Sequence, residues 1–206
     1  RPSRGLGDVY KRQELALTVS SGGLDSGRCL LRLAGKVVAE IFELDGREFR
    51  VLDAHSEPGA ELLRRPVESE RLVFGKTESS SDFFVSIGDA ADRRTVTGRG
   101  LTRGHSNVRA SHPTATVSAH ARIGEGVCIM SGAIVQPEAV LERGVIVNTG
   151  AIVDHDCVVG EFAHVGPRAR LAGNVQVGAM THVGLGARGP TYRCGIDRGS
   201  RLRCRH

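Results

Sequence analysis

From Ala115 to Gly186 the chain divides into twelve blocks of six residues: ATVSAH, ARIGEG, VCIMSG, AIVQPE, AVLERG, VIVNTG, AIVDHD, CVVGEF, AHVGPR, ARLAGN, VQVGAM and THVGLG. The third place is aliphatic in every block, and the first is always Ala, Val, Cys or Thr. A period of six matches neither a helix nor a plain strand. Places one and three are two apart, so their side chains share one face of a short strand while place two points outward. Places four to six are rich in Gly, Asn, Pro and Asp, which suit a turn. Each block therefore predicts a short strand and a corner, and three blocks predict one triangular coil. Stacked coils form parallel strands around a narrow aliphatic column, four coils in all. Phe162 is the one aromatic in these blocks, as a narrow interior requires. The repeat stops at Gly189, where an aliphatic is due, and so leaves an open sheet end.

Residues 28–108 follow another pattern. Ala34–Gly46 carries apolar residues at helical spacing with Gly46 placed to end the helix. Glu48–Asp53 predicts a strand ending in an acid, Asp82–Gly88 a second buried strand, and Asp89–Leu101 a helix. Alternating strand and helix predict a small α/β unit with a parallel sheet. Asp53 and Gly88 fall at strand C-terminal ends, where open α/β sheets bind ligands, and are candidate substrate-binding residues.

The chain has 206 residues, 40% hydrophobic and 25% charged, a balance that excludes a disordered polar chain. It has no apolar run of the roughly 18 residues a membrane span needs and no charged-then-apolar leader. Five scattered cysteines (Cys29, Cys128, Cys157, Cys194, Cys204) fit reduced cytoplasmic thiols better than a disulfide framework or zinc finger. The net charge of +5 comes entirely from the two ends, and the body between them is acidic. A nucleic-acid binder needs basic residues on a folded face, with aromatics to stack on bases, so no nucleic-acid partner is expected. Residues 1–27 and 187–206 lack periodicity and resemble out-of-frame reading of a GC-rich gene. They are expected to be irregular, non-native tails.

The block AIVDHD places Asp154, His155 and Asp156 on one corner. Imidazole titrates near working pH and can act as a general base, and a neighbouring carboxylate can fix its tautomer and raise its basicity. The alternative is a solvated corner histidine flanked by acids. His164 and His182 both sit at place two, one full coil apart, and should stack about 4.8 Å apart on one outer face. An ordinary exposed face is the competing reading there. Asn148 lies in the turn VNTG, where Asn also serves the backbone. His155 and His164 are half a coil apart and belong to different sides of the prism. The histidine spacings do not gather three imidazoles around one ion, so no metal is expected. Cys157, at an inward place one, reads as a small buried apolar group.

The hexad pattern resembles the hexapeptide-repeat acyltransferases, which implies a left-handed parallel β-helix. The order KVVAEI helix, VLD strand, Arg65-Pro66-Val67 turn, FFVSIGDAADR and repeat, over residues 34–186, resembles the sialic-acid O-acetyltransferase family. That family includes N-acetyltransferases of nucleotide-linked amino sugars. The resemblance implies a Rossmann-like N-terminal unit over 28–108 that holds a nucleotide-sugar acceptor, and an acetyltransferase β-helix over 109–186. It implies acetyl-CoA as co-substrate, a homotrimer with sites in the clefts between prisms, and work in surface-polysaccharide biosynthesis. VNTGAIVDHDCVVGEFAHVG matches the family's active-site segment, which makes His155 the base and Asp156 its partner. It also puts His164 and Gly173 at the acetyl-CoA site and Asn148 near the acceptor. One departure is Cys29–Gly35, CLLRLAG, standing where relatives carry a Gly-rich loop, whereas Ser21-Gly22-Gly23 is displaced. The alternatives are a non-catalytic trimeric scaffold or inactive copy, and a transferase with another acceptor, such as serine or an acyl-sugar.

Overall fold

A computed structural model describes residues 15–18, 28–53, 59–69, 82–188, 195–196 and 201–202. The N-terminal unit runs β1 (Leu15–Thr18), α1 (Arg28–Leu44), β2 (Phe49–Asp53), β3 (Glu61–Leu62), β4 (Arg65–Ser69), β5 (Asp82–Val85), α2 (Ala90–Leu101) and β6 (Ser106–Asn107). These strands form one sheet in the order β3-β4-β2-β1-β5-β6, parallel throughout except for β3 against β4. Helix α1 buries Val38, Ala39, Ile41 and Phe42, the stripe its spacing predicts. Phe42 meets Phe84 edge-on at 5.8 Å and Phe49 at 5.7 Å. Gly46 ends α1 with φ +65°, and the amide of Arg47 closes back on the Phe42 carbonyl at 2.9 Å. Asp89 caps α2, its carboxylate accepting from the amides of Ala91 at 2.8 Å and Asp92 at 3.0 Å.

Three expectations need correction here. Leu15–Thr18 is a strand at the centre of the sheet, between β2 and β5, although residues 1–27 read as irregular. The apolar run LALT is too short to show a period by itself. Cys29–Gly35 is not a loop but the opening turns of α1. The connection that follows β1 and precedes α1 spans 19–27 and contains Ser21-Gly22-Gly23, which lie outside the described residues. Arg65-Pro66-Val67 is not a turn but the start of β4; the turn is at Leu63 and Arg64, with φ +48° and +64°. Pro66 is tolerated near the start of that strand, beside the two-residue β3, where one missing donor costs little.

The rest is a parallel β-solenoid with three faces. The first face stacks β7 (Ala110–Ser111), β10 (Cys128–Ile129), β13 (Ile146–Val147), β16 (His164–Val165), β19 (His182–Val183) and β21 (Arg201–Leu202). The second stacks β8 (Thr116–Val117), β11 (Ile134–Val135), β14 (Ile152–Val153) and β17 (Arg170–Leu171). The third stacks β9 (Arg122–Ile123), β12 (Val140–Leu141), β15 (Val158–Val159), β18 (Gln176–Val177) and β20 (Gly195–Ile196). Partners such as Cys128 and Ile146, or Ile134 and Ile152, are eighteen residues apart, the three-block coil expected from the hexads. Places one and three build the aliphatic column, with Val135, Ala151, Val153, Cys157 and Val165 among its fully buried members.

The expectation of an irregular segment 187–206 is corrected for its six described residues, Ala187, Arg188, Gly195, Ile196, Arg201 and Leu202. Gly195 pairs with Gln176 and Arg201 with His182, a step of nineteen, whereas Arg188 still pairs with Arg170 at eighteen. One extra residue after Arg188 shifts the frame, so Ile196 and Leu202 stand at the third place once it is allowed for. The solenoid begins at β7, inside the 109–186 span expected for it and ahead of the first aliphatic hexad, because β7 pairs with β10 although Ser111 replaces the third-place aliphatic.

Place two is not always solvated. On the first face Ala110, Cys128 and Ile146 are buried in one apolar cluster with Val38, Phe42, Phe84 and Met130. The N-terminal unit therefore packs across the lower rungs of that face and leaves β16 and β19 beyond it. At the corners, every sixth-place residue from Gly126 to Gly186 has positive φ, including Glu138, Asp156, Phe162 and Asn174. Phe162 lies over Gly144 one coil below, where a Cβ would come within 2.5 Å of its ring. Among the described residues no helix is long and apolar enough to cross a membrane.

Candidate active site

His155 stands on the corner between β14 and β15, exposed as its fifth-place position predicts. Its Nδ1 lies 2.7 Å from a carboxylate oxygen of Asp156. The left-handed backbone at Asp156, φ 58°, belongs to the corner pattern and sets the carboxylate beside the preceding side chain. Asp154 accepts from the His155 amide at 2.7 Å, and the same carboxylate oxygen lies 4.0 Å from His155 Nε2. The hydrogen bond to Asp156 raises the His155 pKa above the ordinary imidazole value, and the charges of Asp154 and Asp156 add to it. With Nδ1 donating to Asp156, Nε2 is left as the basic nitrogen.

Gly173 belongs to this corner as well. It lies one coil above His155, and a Cβ there would stand 2.5 Å from Cε1 and Nε2 of the ring. The ring thus rests against bare backbone. The Asn174 amide donates to the His155 carbonyl at 2.9 Å, tying the two rungs together.

A second group sits on the first face. His164 and His182 are register partners on adjacent rungs, their rings edge-to-face with centroids 4.7 Å apart, the stacking expected from one full coil. Asn148 reaches His164 Nε2 at 2.9 Å through its side-chain amide, while its carbonyl oxygen accepts from the Thr149 amide at 2.8 Å. With that oxygen engaged, the Asn148 NH2 group is the donor, so the neutral His164 carries its proton on Nδ1. Burial pushes the His164 pKa down to about 3, helped by His182 and Arg93, so the ring is neutral. The structure joins Asn148 to His164, whereas His155 and Gly173 form a separate corner on other faces of the same solenoid.

The acceptor-side candidates lie in the N-terminal unit. Asp53 is the last residue of β2 and is buried. Gly88 follows β5 in the turn before α2. Both are on the C-terminal edge of the parallel strands. The residue that sequence reasoning missed is Arg93, buried to 1% exposure in α2. Its Nη1 donates to the carbonyls of Ile87 at 2.7 Å, Gly88 at 2.9 Å and Asp89 at 3.3 Å. Its Nε and Nη2 donate to the solenoid carbonyls of Gly144 at 3.0 Å and Phe162 at 2.5 Å. Burial lowers its pKa to about 10, which still leaves it charged at neutral pH. In the sequence Arg93 closes the run FFVSIGDAADR on which the resemblance rests, but nothing local sets it apart from the solvated polar residues of the same helix.

Neither described solenoid cysteine is an activated nucleophile. Burial pushes the Cys128 thiol up to about 12 and also raises that of Cys157, whose Sγ donates to the Ala172 carbonyl at 3.1 Å. Among the described residues no group of three or more His, Cys, Asp or Glu side chains is gathered to hold a metal ion.

No family model matches the chain, and no curated protein sequence matches it. Solved structures do. A histidine-to-asparagine variant of perosamine N-acetyltransferase from Caulobacter crescentus, in complex with CoA and GDP-perosamine, is 30% identical with a TM-score of 0.74. That match covers 93% of this chain and 89% of the other. The acetyltransferase domain of PglB from Neisseria gonorrhoeae FA1090, in complex with acetyl coenzyme A, is also 30% identical, with a TM-score of 0.71 over 92% of this chain and 95% of that one. WeeI from Acinetobacter baumannii AYE shares the fold at 16% identity, with a TM-score of 0.64 over 91% and 95% of the two chains. With the hexad solenoid, the N-terminal sheet and a 30% identical relative spanning nearly its whole length, the chain belongs to the hexapeptide-repeat sugar acetyltransferases.

Proposed function

We propose that this protein transfers the acetyl group of acetyl-CoA to an amine or hydroxyl of a nucleotide-linked sugar, with His155 as the general base. The observation that carries the reading is the exposed His155–Asp156 pair, 2.7 Å apart on a corner that Gly173 keeps open. The acceptor nitrogen or oxygen attacks the thioester carbonyl and gives its proton to His155 Nε2. The new C–N or C–O bond forms as the C–S bond breaks, and the CoA thiolate leaves and takes a proton. Asp156 holds Nδ1–H and stabilises the imidazolium that forms. No acyl-enzyme is needed, in keeping with the buried, high-pKa Cys157.

His164, neutral with Nδ1–H available, is suited to donate a hydrogen bond to acetyl-CoA. Asp53 and Gly88 lie at strand C-terminal ends, the usual ligand edge of a Rossmann-like unit, and would hold the nucleotide-sugar. Asn148, through His164, belongs to the acetyl side rather than directly to the acceptor. Within one prism His155 and His164 occupy different sides. A homotrimer of left-handed β-helices would bring one protomer's His155 toward its neighbour's His164, with sites in the clefts. The perosamine N-acetyltransferase, bound to both CoA and GDP-perosamine, supports this acceptor class, and surface-polysaccharide synthesis in the cytoplasm would be its setting.

The test is thiol release from acetyl-CoA with a panel of nucleotide-linked amino sugars and free sialic acid. Acceptor-dependent release, abolished in His155→Ala, is expected. Release that survives His155→Ala would remove the base assignment. No release with any acceptor, from a folded and trimeric protein, would favour a scaffold.

A further inference from the structure

A guanidinium buried to 1% exposure whose hydrogen bonds among the described residues all end on backbone carbonyls needs a reason, because desolvating the charge is costly. The Arg93 fork divides its donors between two bodies. One side holds the Ile87–Asp89 turn, which ends the acceptor-side strand β5. The other holds the solenoid corners at Gly144 and Phe162, and Phe162 lies two residues before His164. We propose that Arg93 is a positioning residue that pins the Gly88 turn to the solenoid corner leading into His164, and so fixes how far the acceptor stands from the thioester. This inference rests on the transferase reading above.

The fold makes such a pin necessary. The apolar cluster between α1 and β10–β13 holds the two units together, yet apolar packing does not set the register of a turn on its far side. A planar fork can meet carbonyls on both sides at once, whereas a lysine ammonium is a single point and cannot span them.

The test compares wild type, Arg93→Lys, Arg93→Met and the exposed neighbour control Arg94→Met. It measures acceptor kcat/KM, acetyl-CoA Kd by calorimetry without acceptor, and amide hydrogen exchange at residues 87–89. Arg93→Met and Arg93→Lys are expected to lose about 100-fold in acceptor kcat/KM, the loss that a misplacement of roughly 1 Å produces. Acetyl-CoA Kd should stay within about twofold, and exchange in the turn should quicken about tenfold, with Arg94→Met unchanged. Loss of acetyl-CoA affinity in the same proportion would mean general structural damage and would overturn the proposal. So would unchanged acceptor kinetics, or full activity in Arg93→Lys, which would reduce the residue to a charge. If Arg93→Met fails to fold, Arg93→Lys decides the same comparison. If wild type acetylates no nucleotide sugar, the transferase reading fails instead, and the pin is judged by exchange alone, with an unchanged turn overturning it.

Discussion

Gly173→Ala is the sharpest perturbation of the candidate site. A Cβ at this position would stand 2.5 Å from two atoms of the His155 ring, whereas carbon contacts settle at about 3.5 Å. The ring must therefore retreat by about 1 Å. It can do so because it is exposed at a corner, so the fold is barely taxed. Gly173 is not in the left-handed region, and alanine there changes stability by less than about 1 kcal/mol. The reacting nitrogen is the one displaced, and the bond to Asp156 must stretch or turn with it. Misplacement on that scale predicts a loss of about 100-fold in kcat. The assay pairs initial rates of thiol release with a thermal melt and the acetyl-CoA KM. Wild-type kcat in Gly173→Ala would refute the reasoning. A higher acetyl-CoA KM with kcat intact would refute it too, because Gly173 would then act by touching acetyl-CoA rather than by making room for the base.

Other perturbations follow from the same geometry. His155 must be deprotonated to act, so activity should fall as pH drops through its raised pKa; Asp156→Asn removes the main cause of that rise. Its acid limb should move to lower pH while the maximal rate falls by about 10²–10⁴-fold, read from a kcat/KM–pH profile, and an unmoved limb would contradict the pairing. His164, with a pKa near 3, should show no titration between pH 5 and 8 by imidazole NMR, with its proton on Nδ1; Asn148→Ala should release the tautomer. Because the unfolded ring binds its proton near pH 6.5 and the folded ring does not, this site should cost stability as pH falls from 6.5 toward 3, and His164→Asn should flatten that part of a denaturation–pH series. Cys128 and Cys157 should stay unmodified by a thiol reagent in the native protein and react on unfolding; prompt native reaction would contradict their burial.

The hexads alone determine the coil. A strand has a side-chain period of two, so an aliphatic recurring at every sixth residue, with a small partner two places earlier, has one consistent reading as strand plus corner. The eighteen-residue register, the inward position of Cys157, the exposure of His155 and the stacking of His164 on His182 all follow from counting. Counting failed where the count itself changed. A single inserted residue after Arg188 hid the strands at Gly195 and Arg201, and the four-residue β1 carried too few positions to show a period. Relations between distant segments were not legible at all. The burial of Cys128 and Ile146 depends on α1 lying across the first face, and the clearance at Gly173 depends on a ring one coil below. Arg93, which reads as one more solvated charge, is buried because two separate bodies offer it carbonyls from opposite sides. Periodicity is a local property of the chain and survives in the sequence; complementarity between surfaces exists only once both have folded.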